Sequence, residues 1–156
     1  MKTRLMSIGT KMPDWVIAGT ADYSKRIERE LNFSLVEVPL PKRSKNNSPT
    51  ASKAKEASAL LSQIRSGDYV VALDVRGQPV STAQLAEKMR KFRMSGRDLA
   101  LLIGGPDGLD SDCLDRADEC WALSALTLPH PLVRVLMTEQ LYRVISMINS
   151  HPYHRD

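Results

Sequence analysis

The tail SHPYHRD (residues 150–156) gathers, at close spacing, side chains that could do chemistry. Arg155 can hold an anionic oxygen, a histidine can shuttle protons near neutral pH, and the Tyr153 ring can stack on a base. All three histidines of the chain, His130, His151 and His154, lie in its last part. A frayed terminus is the plain alternative. A metal site on His151 and His154 is disfavoured, because no cysteine or clustered carboxylate completes a ligand set. No metal is expected.

Two stretches upstream could cradle a ligand. DLALLIGGPDGL (residues 98–109) ends an apolar run in a glycine-rich turn. It is neither G-x-G-x-x-G nor a Walker loop, and Asp107, Asp110 and Asp112 would repel a phosphate. Gly104 and Gly105 instead let the main chain come close to a small, partly apolar ligand. In the second stretch, Leu123, Ser124 and Ala125 followed by Leu126, Thr127 and Leu128 offer small and aliphatic side chains over open backbone. Such a slot suits an adenine, and S-adenosylmethionine joins an adenine to a zwitterionic end. Composition alone leaves open that both stretches are ordinary turns.

These stretches need elements to position them. Residues 4–8 read as a short strand closed by Gly9, and Asp14 can cap a helix with Val16, Tyr23, Ile27 and Leu31 on one stripe. Residues 33–38 make a second strand. Helix signals run over residues 51–66, with Ala57, Leu61 and Ile64 on one face and Gly67 as the stop. Residues 69–74 are a continuous apolar strand of the kind buried on both faces, followed by a turn at 76–79. Ser81 and Gln84 fit a capping box that opens a helix with Leu85, Met89 and Phe92 inward and Gly96 at its end.

Residues 99–103 form the next strand, 112–119 a short helix, and 121–126 the last strand. Pro131 then sits at the start of a helix over 132–148. That helix is apolar almost all round, which predicts burial on two sides, the second against another copy of the chain. Alternating strands and helices predict an α/β fold with a mainly parallel sheet and helices on both faces, one domain over residues 1–156. Ligands bind such sheets where strands end. Here those ends are Leu73 with Asp74, the Gly104–Gly105 turn, and residues 123–128.

Charge points to the partner. Lys and Arg number 22 against 18 Asp and Glu, a formal charge of +4. Lys42, Arg43, Lys45, Lys53 and Lys55 fall in a stretch with no acid, and Lys88, Arg90, Lys91, Arg93 and Arg97 form a second cluster. Both could contact phosphates, or could be solvated surface. No apolar run approaches the roughly 20 residues of a membrane span, and the N-terminus is too short in apolar residues for a signal peptide. Two cysteines, Cys113 and Cys120, lack zinc or disulfide spacing. Reduced thiols, a cytoplasmic location and no membrane partner are expected.

Beyond composition, IGGPDGL (103–109), LSALTLPHPLVRVLMTEQLYR (123–143) and NSHPYHR (149–155) together closely resemble the RlmH family. These are ribosomal large-subunit pseudouridine methyltransferases of the SPOUT superfamily. IGTKMPDWV (8–16) and PKRSKN (41–46) also match, so the resemblance spans nearly the whole chain. Asp107 and Asp156 stand where the family usually has Glu, which keeps the charge. The resemblance implies a homodimer with a C-terminal deep trefoil knot, although threaded chains are rare on topological grounds. It implies methyl transfer from S-adenosylmethionine to the imide nitrogen N3 of a pseudouridine in the helix 69 stem-loop of 23S ribosomal RNA, on assembled ribosomes. The cofactor would be held at Leu73, Gly104 and residues 123–128.

On that reading Arg155 stabilises the oxyanion, His130 or His154 accepts the proton, and Tyr153 positions the base. Lys42, Arg43, Lys45, Lys91 and Arg93 would grip RNA phosphates. Rival readings are a non-catalytic basic ribosome-binding module, a SPOUT enzyme acting on another RNA such as tRNA, and a Rossmann-type nucleotide enzyme, which the missing fingerprint disfavours.

Overall fold

The computed structural model describes residues 1–40, 42 and 48–153. Its elements run β1 (Thr3–Ile8), α1 (Asp14–Leu31), β2 (Phe33–Val38), α2 (Pro49–Leu61), β3 (Tyr69–Pro79), α3 (Thr82–Ser95), β4 (Leu99–Ile103), α4 (Ser111–Arg116), β5 (Glu119–Ala122) and α5 (His130–Ile148). The strands pair in parallel in the order β2-β1-β4-β3-β5. Side chains alternate across the central strands. Leu5, Leu99 and Leu101 meet Ile27 of α1, Met89 of α3 and Leu141 of α5 on one face. Met6, Ala100 and Leu102 meet Ala57 and Leu60 of α2 and Cys113 of α4 on the other. The fold is the expected α/β architecture, covered on both faces.

Several local expectations are corrected. Asp14 is not a cap: Pro13 holds that position without a side-chain bond, and Asp14 lies inside the first turn, where its charge faces the exposed amides. Helix α2 starts earlier and stops earlier than its pattern suggested. Ser48 Oγ accepts from the Ala51 amide at 3.2 Å and Pro49 follows, where a missing amide hydrogen costs nothing. Leu61 ends it, so Ile64 lies outside. Helix α4 covers only Ser111–Arg116, capped by Asp110, and Glu119 belongs to β5.

The larger corrections lie at the carboxyl edge. The turn expected at 76–79 is strand, because β3 continues to Pro79 after an excursion at 74–77. Trp121 of β5 is the register partner of both Leu73 and Gln78. Gly77 permits this crossing: a Cβ there would lie 2.6 Å from the Cys120 carbonyl. Conversely, β5 ends at Ala122, and residues 123–128 leave the sheet. Helix α5 buries Arg134, Thr138 and Ser146 beside its apolar residues. Leu132 is instead exposed, and Val133, Val135 and Leu136 are half-buried.

Candidate active site

At the carboxyl edge, a cleft of about 670 Å³ opens between the end of the first run of β3, the exit of β4, residues 123–128 and the start of α5. The β4 exit doubles back tightly. The Gly108 amide donates to the Gly105 carbonyl at 3.0 Å, and Gly108 adopts φ 80°, a left-handed conformation that glycine enters without strain. A Cβ on Gly104 would lie 2.5 Å from the Gly108 carbonyl carbon, and one on Gly105 2.6 Å from Glu56 Oε2. At Gly104 a side chain would meet fixed backbone, whereas at Gly105 the Glu56 carboxylate would have to move. In the facing segment the Leu126 amide donates to Ser124 Oγ at 3.0 Å, turning the chain while Leu126 stays 72% exposed at the mouth.

Eight of the nine residues expected to hold a cofactor line the cleft: Leu73, Gly104, Gly105, Leu123, Ser124, Leu126, Thr127 and Leu128. Ala125, an exposed residue of the same turn, does not. His130, the first residue of α5, also lines it. Its Nδ1 is buried without a hydrogen-bond partner among the described residues. Burial, and then the nearby Arg134 charge, holds its pKa below the ordinary value. The imidazole is therefore neutral near pH 7.

Arg134 was not foreseen. One turn along α5 from His130 and 1% exposed, it donates to Ser7 Oγ at 2.8 Å, to the Gly9 carbonyl at 3.1 Å and to Glu37 Oε1 at 3.0 Å. It ties α5 to the carboxyl ends of β1 and β2, and a Cβ on Gly9 would stand only 3.8 Å from His130 Cε1. An arginine in an apolar helix reads as surface in sequence; its partners lie too far along the chain to signal otherwise.

A family model described as "Predicted SPOUT methyltransferase" matches residues 1–154. The chain is 51% identical over 156 residues to a "Ribosomal RNA large subunit methyltransferase H" of Hahella chejuensis, covering all of both chains. Like-named proteins of Saccharophagus degradans and Marinomonas sp. are 51% and 48% identical, over 99% of this chain and all of theirs. The chain belongs to this ribosomal RNA large subunit methyltransferase H family. Two solved structures share the fold at low identity. A probable methylase family protein from Haemophilus influenzae has TM-score 0.54 at 14% identity, over 99% of this chain and 70% of that one. A probable methyltransferase from Bordetella pertussis has TM-score 0.57 at 15% identity, over 92% and 96%.

The other residues expected of this SPOUT enzyme are placed less simply. Tyr153 does not line the cleft of its own chain. Its hydroxyl donates to Glu139 Oε1 at 3.2 Å, and its ring packs 4.4 Å from that of Tyr142. Burial raises its phenol pKa, so it stays protonated. His154, Arg155, Arg43 and Lys45 lie outside the described residues. Lys42, Lys91 and Arg93 are exposed. The rest of the second basic cluster is partly spent: Lys88 pairs with Glu119, Arg90 with Glu87, and Arg97 donates to the carbonyls of Gly67 and Asp68. Among the described residues no cluster of three or more His, Cys, Asp or Glu could hold a metal. No helix among them is long and apolar enough to cross a membrane.

Proposed function

We propose that this chain transfers a methyl group from S-adenosylmethionine to N3 of a pseudouridine in helix 69 of 23S ribosomal RNA. It acts on the assembled ribosome as a cytoplasmic homodimer, with its C-terminal part threaded as a deep trefoil knot. The observation that carries the reading is the cleft itself, an apolar slot with main chain laid open at Gly104 and at 123–128, in a chain half identical to proteins named for ribosomal RNA methylation.

The lining fits the cofactor. Aliphatic side chains from Leu73, Ile103 and Leu128 suit an adenine, and the glycine turn brings main chain to the cleft wall. When bound, S-adenosylmethionine supplies an electrophilic methyl group. What remains for the protein is to align the acceptor and remove its proton. An imide proton of pseudouridine is lost roughly two to three units above neutral pH, which asks about 3–4 kcal/mol of the site. A neutral His130 at the rim is suited to take that proton, with His154 the alternative, and Arg155 to offset charge on the adjacent oxygen.

Tyr153 stands outside its own cleft, which favours an assembly in which the tail of one copy completes the site of the other. A partner would also cover Trp15 and Ile17 on α1, which are 57% and 54% exposed. Lys42, Arg43, Lys45, Lys91 and Arg93 then grip phosphates, giving affinity without sequence choice. Mass spectrometry of ribosomal RNA from cells lacking the gene tests the reading. The expected result is one methyl mark lost from one pseudouridine in 23S RNA and restored by the intact gene; an unchanged mark refutes it.

A further inference from the structure

Of the described residues lining the cleft, Asp74 alone carries a full charge. It stands where β3 breaks from β5, at the start of the 74–77 excursion, and such irregularities re-aim side chains. Arg76 grips it in a fork, Nε to Oδ1 at 2.8 Å and Nη2 to Oδ2 at 2.9 Å, and the Arg76 amide adds a third bond to Oδ1 at 2.9 Å. Those side-chain bonds, helped more weakly by Lys53, hold the carboxyl below its usual range, so it is ionised at neutral pH. The two partners face different media: the Asp74 side chain is 8% exposed, that of Arg76 61%. Water screens the guanidinium far more than it screens the carboxylate in the cleft wall.

We propose that Asp74 is the charge selector of the cleft, favouring a cationic sulfonium ligand over the neutral thioether that methyl transfer leaves behind. The inference rests on the S-adenosylmethionine reading. Transfer breaks the methyl carbon–sulfur bond, the electron pair stays on sulfur, the methyl passes to the acceptor nitrogen, and the ligand loses one positive charge. Aliphatic walls only penalise the cation by desolvating it; a carboxylate in the cleft wall can favour it. Asp74 thereby makes spent cofactor easier to release than fresh cofactor.

Calorimetry on the full chain tests this with S-adenosylmethionine, S-adenosylhomocysteine and sinefungin, in which a protonated amine replaces the sulfonium. Asp74→Asn is expected to weaken the two cationic ligands about fivefold and to leave S-adenosylhomocysteine unchanged. Arg76→Gln removes the competing cation and is expected to raise the preference for the cationic ligands; it also supplies the readout if Asp74→Asn fails to fold. If Asp74 only shapes the excursion through Arg76, both variants weaken all three ligands alike, and the proposal is overturned. Wild-type protein that binds none of the three removes the cofactor reading and this inference with it. Wild-type binding with unaltered ligand ratios in both variants removes the inference alone.

Discussion

At the amino ends of β3, β4 and β5 an aspartate stands immediately before each strand: Asp68, Asp98 and Asp118. Asp68 accepts from the Arg4 guanidinium and from the Arg65 amide at 2.6 Å. Asp98 accepts from the Lys2 amide at 2.7 Å, and Asp118 from the Val70 amide at 2.8 Å, with Arg97 and Arg116 close beside it. The carboxyl ends of the same strands look different. There the lining is mostly glycine and aliphatic with Asp74 as its one full charge, and the His130 Nδ1 is buried with no partner among the described residues. One rim has its charges spent on holding strands in register. The other presents aliphatic side chains, close main chain, one carboxylate held by Arg76 and an unpartnered imidazole nitrogen, which is how a rigid scaffold presents a site.

The sharpest way to break that contrast is to damage the tied rim and look for an effect at the open one. Asp68→Ala leaves Arg4, whose side chain is only 14% exposed, without its carboxylate, and is expected to cost roughly 3–5 kcal/mol of stability. Urea denaturation reads that loss. Calorimetry at a temperature where the variant is folded should show cofactor affinity like wild type. A matching loss of affinity would mean that the two rims are coupled through the strands. Gly104→Ala is the reciprocal test. Its Cβ would lie 2.5 Å from the Gly108 carbonyl carbon and 2.7 Å from the Leu109 nitrogen, backbone that cannot swing aside. A stability cost of about 1–3 kcal/mol is expected, together with loss of measurable cofactor binding. Retained binding would mean the glycine turn is scaffold and not site.

How much of this was legible in sequence follows the range of each signal. Strands Phe33–Val38 and Leu99–Ile103 and the box at Ser81 and Gln84 sit where their patterns put them, because their signals are local. The box is complete: Gln84 N to Ser81 Oγ at 3.2 Å and Ser81 N to Gln84 Oε1 at 2.9 Å. The continuation of β3 was hidden because Arg76-Gly-Gln-Pro79 has turn chemistry, and only pairing with Trp121 and Ala122 makes it strand. The strand expected over 121–126 stops at Ala122, and Leu123 and Leu126 line the cleft instead. Arg134 depends on Ser7, Gly9 and Glu37, which lie 127, 125 and 97 residues away, so no window of sequence could show it buried. The glycine turn is legible as a close approach; Asp74 reads in sequence as a strand end, and only the fold sets its charge in the cleft wall.

A smaller effect checks that the contrast is not general fragility. Ser81→Ala removes one half of the capping box, whose residues do not line the cleft, and is expected to cost about 1 kcal/mol. Thermal melting should record that shift with no change in cofactor affinity.

The smallest expected effect is a slope. Burial and the Arg134 charge depress the His130 pKa in the folded chain below the ordinary 6.5 that the unfolded chain retains. Above pH 6.5 both states hold a neutral ring, and His130 contributes nothing to the pH dependence. As pH falls through 6.5 the unfolded chain takes up a proton that the folded chain refuses, so stability is lost, until the folded ring titrates as well. Carboxylates add their own slope at low pH, but it is common to wild type and to His130→Gln. The difference between the two in denaturant titrations at pH 7.5, 6.5 and 5.5 therefore isolates the imidazole. Wild type is expected to lose more stability than the variant across that interval. Parallel curves would mean that water reaches the ring, and that the open rim is wetter than the buried Nδ1 implies.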